Sequence, residues 1–240
     1  MSEGEKSQSE PQEENDELRK KWKIWIDKIG HDLGDLLISQ DVLKEVSQIV
    51  ASNRRIQSHL FFFTWIQNNY VDSIVVGLGR LNDHDSRTIS FHNLIKEVLA
   101  NPEAITRDYY ISRYPEWMRD AGRVGGINDE FNEFADEGEQ FLSKDRLLAD
   151  LKLLDDETKQ IKVFRDQWVA HLDQTRATNQ PLTFKDVEDA LELLDNIFHK
   201  YYMLIDGAGM STAKPSLNFD WKEPLRHPWI ENTKEENYCE

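Results

Sequence analysis

Residues 143–175 read SKDRLLADLKLLDDETKQIKVFRDQWVAHLDQT. Leu147, Leu151, Leu154, Thr158, Ile161, Arg165, Trp168 and Leu172 follow one another in alternating steps of four and three, the spacing that puts side chains on one face of an α-helix. Arg165 holds a core-type position in that stripe. A guanidinium keeps its charge, so among apolar neighbours it is costly unless it is paired or lines a cleft. Two readings of Arg165 stand. It is a structural cation paired with Asp166, Asp173 or an acid from another helix, or it is a group held for binding and catalysis. His171 lies six residues on, ~120° around an ideal helix and ~9 Å along it, on the flank of Phe164 and Trp168. That offset prevents one helix from easily closing both groups on one phosphate. Two copies across a dyad would supply two arginines and two histidines to one groove.

Working outward, Thr183 and Asp186 form an approximate capping box after Pro181, with Leu182 and Val187 placed as a hydrophobic staple. The helix they open carries Val187, Ala190, Leu191, Leu194, Ile197, Phe198, Tyr201 and Leu204, and Gly207 and Gly209 mark its end. Residues 143–206 therefore predict an antiparallel helix pair. Upstream, Leu18, Trp22, Trp25, Ile26, Ile29 and Leu33 predict a helix over 18–38, followed by a second over 41–52 and a third over about 53–81. The third is apolar nearly all round from Leu60 to Ile66, which predicts a helix at the centre of a bundle. Asn82 to Ser86 breaks the pattern, and Ser90 is placed to cap a short helix that Pro102 terminates. Residues 102–139 mix aromatics with Pro115, Gly122, Gly125 and Gly126 and read as an insertion of short helices. Sustained two-residue alternation and internal repeats are both missing. The fold class is all-α, an antiparallel helical bundle over residues 18–206.

Composition limits the function. The 240 residues contain no glycine- or proline-rich linker in the middle, so one domain is expected. Residues 1–17 carry seven acids and one lysine with almost no apolar side chains, which predicts a disordered tail. That tail contributes −6 of the formal −16 charge, and the body is still acidic. Such a balance counts against a protein held on nucleic acid by long-range attraction. It leaves room for a local site. Arg107 to Arg123, with its tyrosines and Trp117, and Lys20 to Lys28 are either local basic and stacking surfaces or solvated faces with core aromatics. The stretch 207–240, with Pro215, Phe219, Trp221, Pro224, Pro228 and Trp229, predicts an irregular tail that packs back over the domain or docks a partner. Cys239 is the only cysteine, so no disulfide framework forms within one chain. The acidic start lacks a secretory signal, and no stretch reaches the ~18 uninterrupted apolar residues of a spanning helix. A cytoplasmic protein with no membrane contact is the expectation.

Asp83, His84 and Asp85 have metal-ligand chemistry. However, acids and histidines are common in helix-to-helix turns, and no second cluster completes a shell in the sequence, so a turn is expected, with no metal and no cofactor. Gly77-Leu78-Gly79 lies in a helical pattern with no preceding strand, unlike a dinucleotide loop. Arg80 is placed either to pair with Asp83 or to reach the Arg165 and His171 cleft as a phosphate contact.

An arginine, a polar residue, and a histidine four to six positions after the arginine on a helix is the signature of HEPN domains. Arg165-Asp166 followed by Ala170-His171 fits it. Asn69-Tyr70, Gly79-Arg80-Leu81-Asn82-Asp83, Ser90-Phe91 and Asn93-Leu94-Ile95 resemble the abortive-infection AbiU branch, with the resemblance running from about residue 50 to 205. It implies a metal-independent endoribonuclease acting as a toxin or phage-defence effector. The implied partners are an RNA substrate, a second copy of the chain in a homodimer, and an antitoxin or other protein. Catalysis would then fall to Arg165 and His171, with Asp166 orienting one of them across the dimer and Arg80 and Asp83 contacting substrate. The family prefers Asn at the position of Asp166, which sets this chain apart. Many HEPN relatives are non-enzymatic helical modules, and a catalytically silent interaction module is the alternative.

Overall fold

The computed structural model describes residues 6–57, 61–119, 124–169, 182–207 and 212–227. Its helices are α1 (Lys6–Ser52), α2 (Arg54–Gln57), α3 (Phe61–Leu81), α4 (Phe91–Ala100), α5 (Arg107–Ser112), α6 (Glu116–Met118), α7 (Val124–Phe131), α8 (Lys144–Phe164) and α9 (Phe184–Ile205). A π-turn (Arg165–Val169) continues α8, and a 3-10 turn (Glu223–Arg226) lies in the tail. No strand occurs among the described residues, as the missing two-residue alternation predicts.

The bundle is built from α1, α3, α8 and α9, with α4 laid against α1 and α8. Ion pairs and hydrogen bonds set the directions. Lys23 of α1 meets Asp206 after α9 and Lys44 meets Glu188, so these helices run antiparallel. Asp150, near the start of α8, accepts from Lys200 Nζ and the Tyr201 hydroxyl, both at 2.8 Å. The predicted antiparallel pairing of α8 and α9 follows. Burial and the adjacent Asp150 carboxylate push the Tyr201 phenol well above its ordinary value. Trp22, Ile26, Leu33, Leu78, Leu94, Leu154 and Leu194 fill the space between the helices.

Two boundaries and one burial pattern differ from expectation. α1 is one helix of 47 residues rather than two. It also begins at Lys6, so residues 6–17, expected to be disordered, are its first turns. Glutamate, glutamine and lysine are good helix formers, and adding residues to a formed helix needs no new nucleus. α3 departs more sharply. Ile74, Val75 and Leu78 are at most 1% exposed, but Phe61 is 85%, Phe62 54% and Trp65 53% exposed. The half that is apolar all round is therefore not the bundle centre. Periodicity reports which side chains are apolar, whereas neighbouring helices decide how far along α3 they are covered.

Several residues of the basic segments have partners within the chain. Buried Arg107 donates to the carbonyl oxygens of Glu139 and Asp136 and to the side chains of Asn128 and Asn132. Arg113 donates to the carbonyl of Ile205 at 2.8 Å, at the negative end of the α9 dipole. Lys20, Lys21 and Lys23 pair with Glu17, Glu97 and Asp206. Residues 212–227 pack back on the bundle, one of the two readings open for the tail. Asp195 of α9 accepts from the Thr212 hydroxyl and the Ala213 amide, both at 2.7 Å, and Lys214 and Lys222 pair with Asp41 and Glu45 of α1.

Candidate functional site

α8 loses its α-helical register at Arg165. The next five residues form a π-turn, in which the backbone bonds i to i+5, a local widening found frequently at functional sites. Arg165 Nε and Nη2 donate to Asp166 Oδ1 at 2.8 and 2.7 Å. The Nη1 edge of the guanidinium lies against Gly79 of α3. The Arg165 side chain is 24% exposed, so it sits at the rim of the core rather than inside it. Phe164 and Trp168, on either side of it in the sequence, stack on each other with centroids 6.1 Å apart and planes 10° from parallel. The π-turn also ends the geometry from which the ~120° offset between Arg165 and His171 follows, because that figure assumes an unbroken α-helix. His171 lies outside the described residues.

Asp166 is engaged by Arg165 of its own chain, which gives the cation a local partner. The other expected site residues are placed elsewhere. The Arg80 side chain is 63% exposed and its guanidinium pairs with Asp32 of α1 at 3.4 Å, while its carbonyl accepts the Asp83 amide at 3.3 Å. The carboxylate of Asp83 accepts the Asp85 amide at 3.0 Å and its carbonyl accepts the Ser90 hydroxyl at 2.6 Å. Asp83 is thus part of the turn into α4. Ser90 caps α4 by accepting the Asn93 amide, and Asn93 Nδ2 donates back to the carbonyls of Asp85 and Thr88. Two glycines discounted as a dinucleotide loop are close-approach points of α3. A β-carbon on Gly77 would meet Leu36 of α1, and one on Gly79 would meet Arg165.

A second cluster joins His84 not to Asp83 and Asp85 but to His92 and Asp155, neither of which stood out in the sequence. The rings of His84 and His92 stack with centroids 3.7 Å apart. His84 Nε2 lies 2.9 Å and His92 Nδ1 3.6 Å from the same Asp155 oxygen. Asn82 Nδ2 approaches that oxygen at 3.3 Å and donates to Thr158 Oγ1 at 2.7 Å. Burial, then the neighbouring His84, holds the His92 imidazole below its ordinary pKa. Two signals in the sequence touch this cluster: His84, weighed as a metal ligand and read as part of a turn, and Thr158 in the apolar stripe of α8, whose hydroxyl needs a partner when buried.

The chain matches the AbiU2 family of HEPN domains over residues 13–228. With the all-α bundle and an arginine at the end of its long helix, this defines a HEPN protein of the abortive-infection type. The chain belongs to the AbiU2 family. No curated protein and no solved structure matches it. No helix among the described residues is long and apolar enough to cross a membrane.

Proposed function

We propose that this protein is a metal-independent endoribonuclease acting as a toxin or phage-defence effector, with a composite site in a homodimer. The observation that carries the reading is Arg165. It is a permanently charged fork at the rim of an all-α core, in a π-turn, with one edge oriented by Asp166 and the other against Gly79. Planar guanidinium matches phosphate oxygens and stabilises the negative charge that builds on them during attack. An imidazole has its ordinary pKa near neutrality, so His171 is suited to move the proton. In the reaction the ribose 2′-oxygen attacks the adjacent phosphorus. The O2′–P bond forms, the P–O5′ bond breaks, and the products are a 2′,3′-cyclic phosphate and a 5′-hydroxyl. His171 of one protomer takes the 2′-hydroxyl proton and the partner's His171 returns one to the 5′-oxygen. Phe164 and Trp168, which stack on each other and flank Arg165 in the sequence, offer an aromatic surface for a base. An antitoxin or other protein would mask this end of α8.

The alternative, a catalytically silent helical module, draws on the same Arg165 and Asp166 contact, which satisfies the cation without a ligand. RNA cleavage in EDTA separates the two. The enzyme leaves a cyclic phosphate and spares a substrate with a 2′-O-methyl at the scissile position, because the nucleophile is blocked. A protein that is dimeric by light scattering and inert toward RNA supports the module. One that requires Mg²⁺ or Mn²⁺ or cuts methylated RNA equally well overturns the mechanism.

A further inference from the structure

The geometry points to a divalent transition-metal site formed by His84, His92 and Asp155, where the turn after α3 meets α4 and α8. One ligand atom from each residue lies within 4.8 Å of the others. Two atoms bonded to one tetrahedral ion at ~2.1 Å lie ~3.4 Å apart, and the measured separations from Asp155 Oδ1 are 2.9 Å to His84 and 3.6 Å to His92. Asp155 therefore stands near coordinating distance from each histidine, whereas the two stacked rings must rotate apart for both nitrogens to face one ion. The ring of His92 is packed and His84 is 40% exposed, so His84 is the ligand with freedom to turn its nitrogen onto the ion.

Two further observations support a cation here rather than a hydrogen-bonded triad. His92 Nδ1 is buried and has no hydrogen-bond partner, since 3.6 Å to Asp155 is too long for one. A buried ring nitrogen left so is costly, and coordination would satisfy it. Asn82 Nδ2 donates to the same Asp155 oxygen at 3.3 Å and to Thr158 Oγ1 at 2.7 Å, so the carboxylate is tethered to a buried polar pair, the kind of outer contact that orients ligands in metal sites. Two imidazoles and one carboxylate suit Zn²⁺, Mn²⁺, Fe²⁺ or Co²⁺ better than Mg²⁺ or Ca²⁺. A three-ligand set also leaves a position open to water. Access is direct, as Asp155 and His84 are both 40% exposed. Asp83 and Asp85 are not part of the set, being engaged with the Asp85 amide and with Arg87.

The site is distinct from the proposed RNA cleft. Asp155 precedes Arg165 by ten residues, ~15 Å along the helix at ~1.5 Å per residue. Its action is to tie the α3–α4 turn to α8, adding to the contact that α3 and α8 make through Gly79 and Arg165.

The test uses full-length protein without a histidine tag, treated with EDTA and exchanged into chelator-free buffer. Zn²⁺ is titrated calorimetrically, Co²⁺ by visible absorption, and the melting temperature is followed with and without Zn²⁺. One ion per chain at micromolar or tighter affinity, a cobalt absorption band and a higher melting temperature are expected. His92→Ala and Asp155→Asn should each weaken Zn²⁺ binding at least about tenfold, while His31→Ala, at an exposed surface histidine, leaves it unchanged. Should either variant fail to fold by circular dichroism, His84→Ala at the more exposed ring replaces it. Absence of a saturable site, or equal affinity in all variants, overturns the inference whatever the outcome with RNA.

Discussion

A β-carbon on Gly79 would lie 2.5 Å from Nη1 of Arg165 and 2.7 Å from its Cδ, so the guanidinium occupies the space that any larger residue on α3 would fill. Gly79→Ala is expected to push Arg165 out of position and to lower RNA cleavage. Stability should hold, because alanine in a helix interior is favoured over glycine by about 1 kcal/mol, which offsets the repacking of a partly exposed side chain. Melting curves and cleavage rates on one preparation check this. Unchanged cleavage would show that the placement of Arg165 against α3 has no functional weight.

Arg165→Ala and His171→Ala should each abolish cleavage and leave the fold intact, because Arg165 lies at the rim of the core and removing a paired surface-side cation costs little. Asp166→Asn separates the roles of its contact. The amide oxygen still accepts from Arg165 Nε, but the charge opposing an incoming phosphate is gone, so binding of a 2′-O-methyl RNA should tighten severalfold. Loss of both binding and cleavage in Asp166→Asn would instead require the carboxylate itself.

Thr158 is 5% exposed, donates to the Leu154 carbonyl and accepts from Asn82 Nδ2, each at 2.7 Å. Thr158→Val keeps the shape and leaves the Asn82 amide short of a partner, so a loss of about 1–3 kcal/mol is expected in denaturant unfolding. Thr158→Ser should recover most of it. Equal stability of Val and Thr at this position would mean that Asn82 finds another partner.

The capping box of α9 makes a pH-dependent contribution. Side-chain and backbone hydrogen bonds from Thr183 hold the Asp186 carboxyl below its ordinary value. A carboxyl whose folded pKa is lowered stabilises the fold above its unfolded pKa, and that contribution disappears as pH falls through the folded value. Thr183→Ala should cost about 1 kcal/mol at neutral pH, and the gap to the parent should close in acid below the ordinary aspartate range. A gap that is constant with pH would assign the effect to helix propensity alone.

The helix pair of α8 and α9, the capping box at Thr183 and Asp186 and the Ser90 cap of α4 were legible because each depends on residues within a turn or two of one another. So were the all-α class and the family, carried by period and by a local Arg-and-His spacing. The extent of α1 was not, because continuation of a formed helix through residues 39–40 depends on the helices packed along both sides of that point. The exposed N-terminal half of α3 was misread for a related reason, since hydrophobicity belongs to the residue but coverage belongs to its neighbours. Arg80 chose Asp32 on α1 over Asp83 three residues away. His84, His92 and Asp155, spread across a turn and two helices, became a cluster only when α8 crossed the end of α3. Local order in this protein is set by the spacing of side chains along the chain, whereas the contact of Arg165 with Gly79 and the histidine cluster are set by which helices cross. That crossing is chosen by the shape of the whole core, at points such as Gly79 where one backbone leaves room for another helix's side chain.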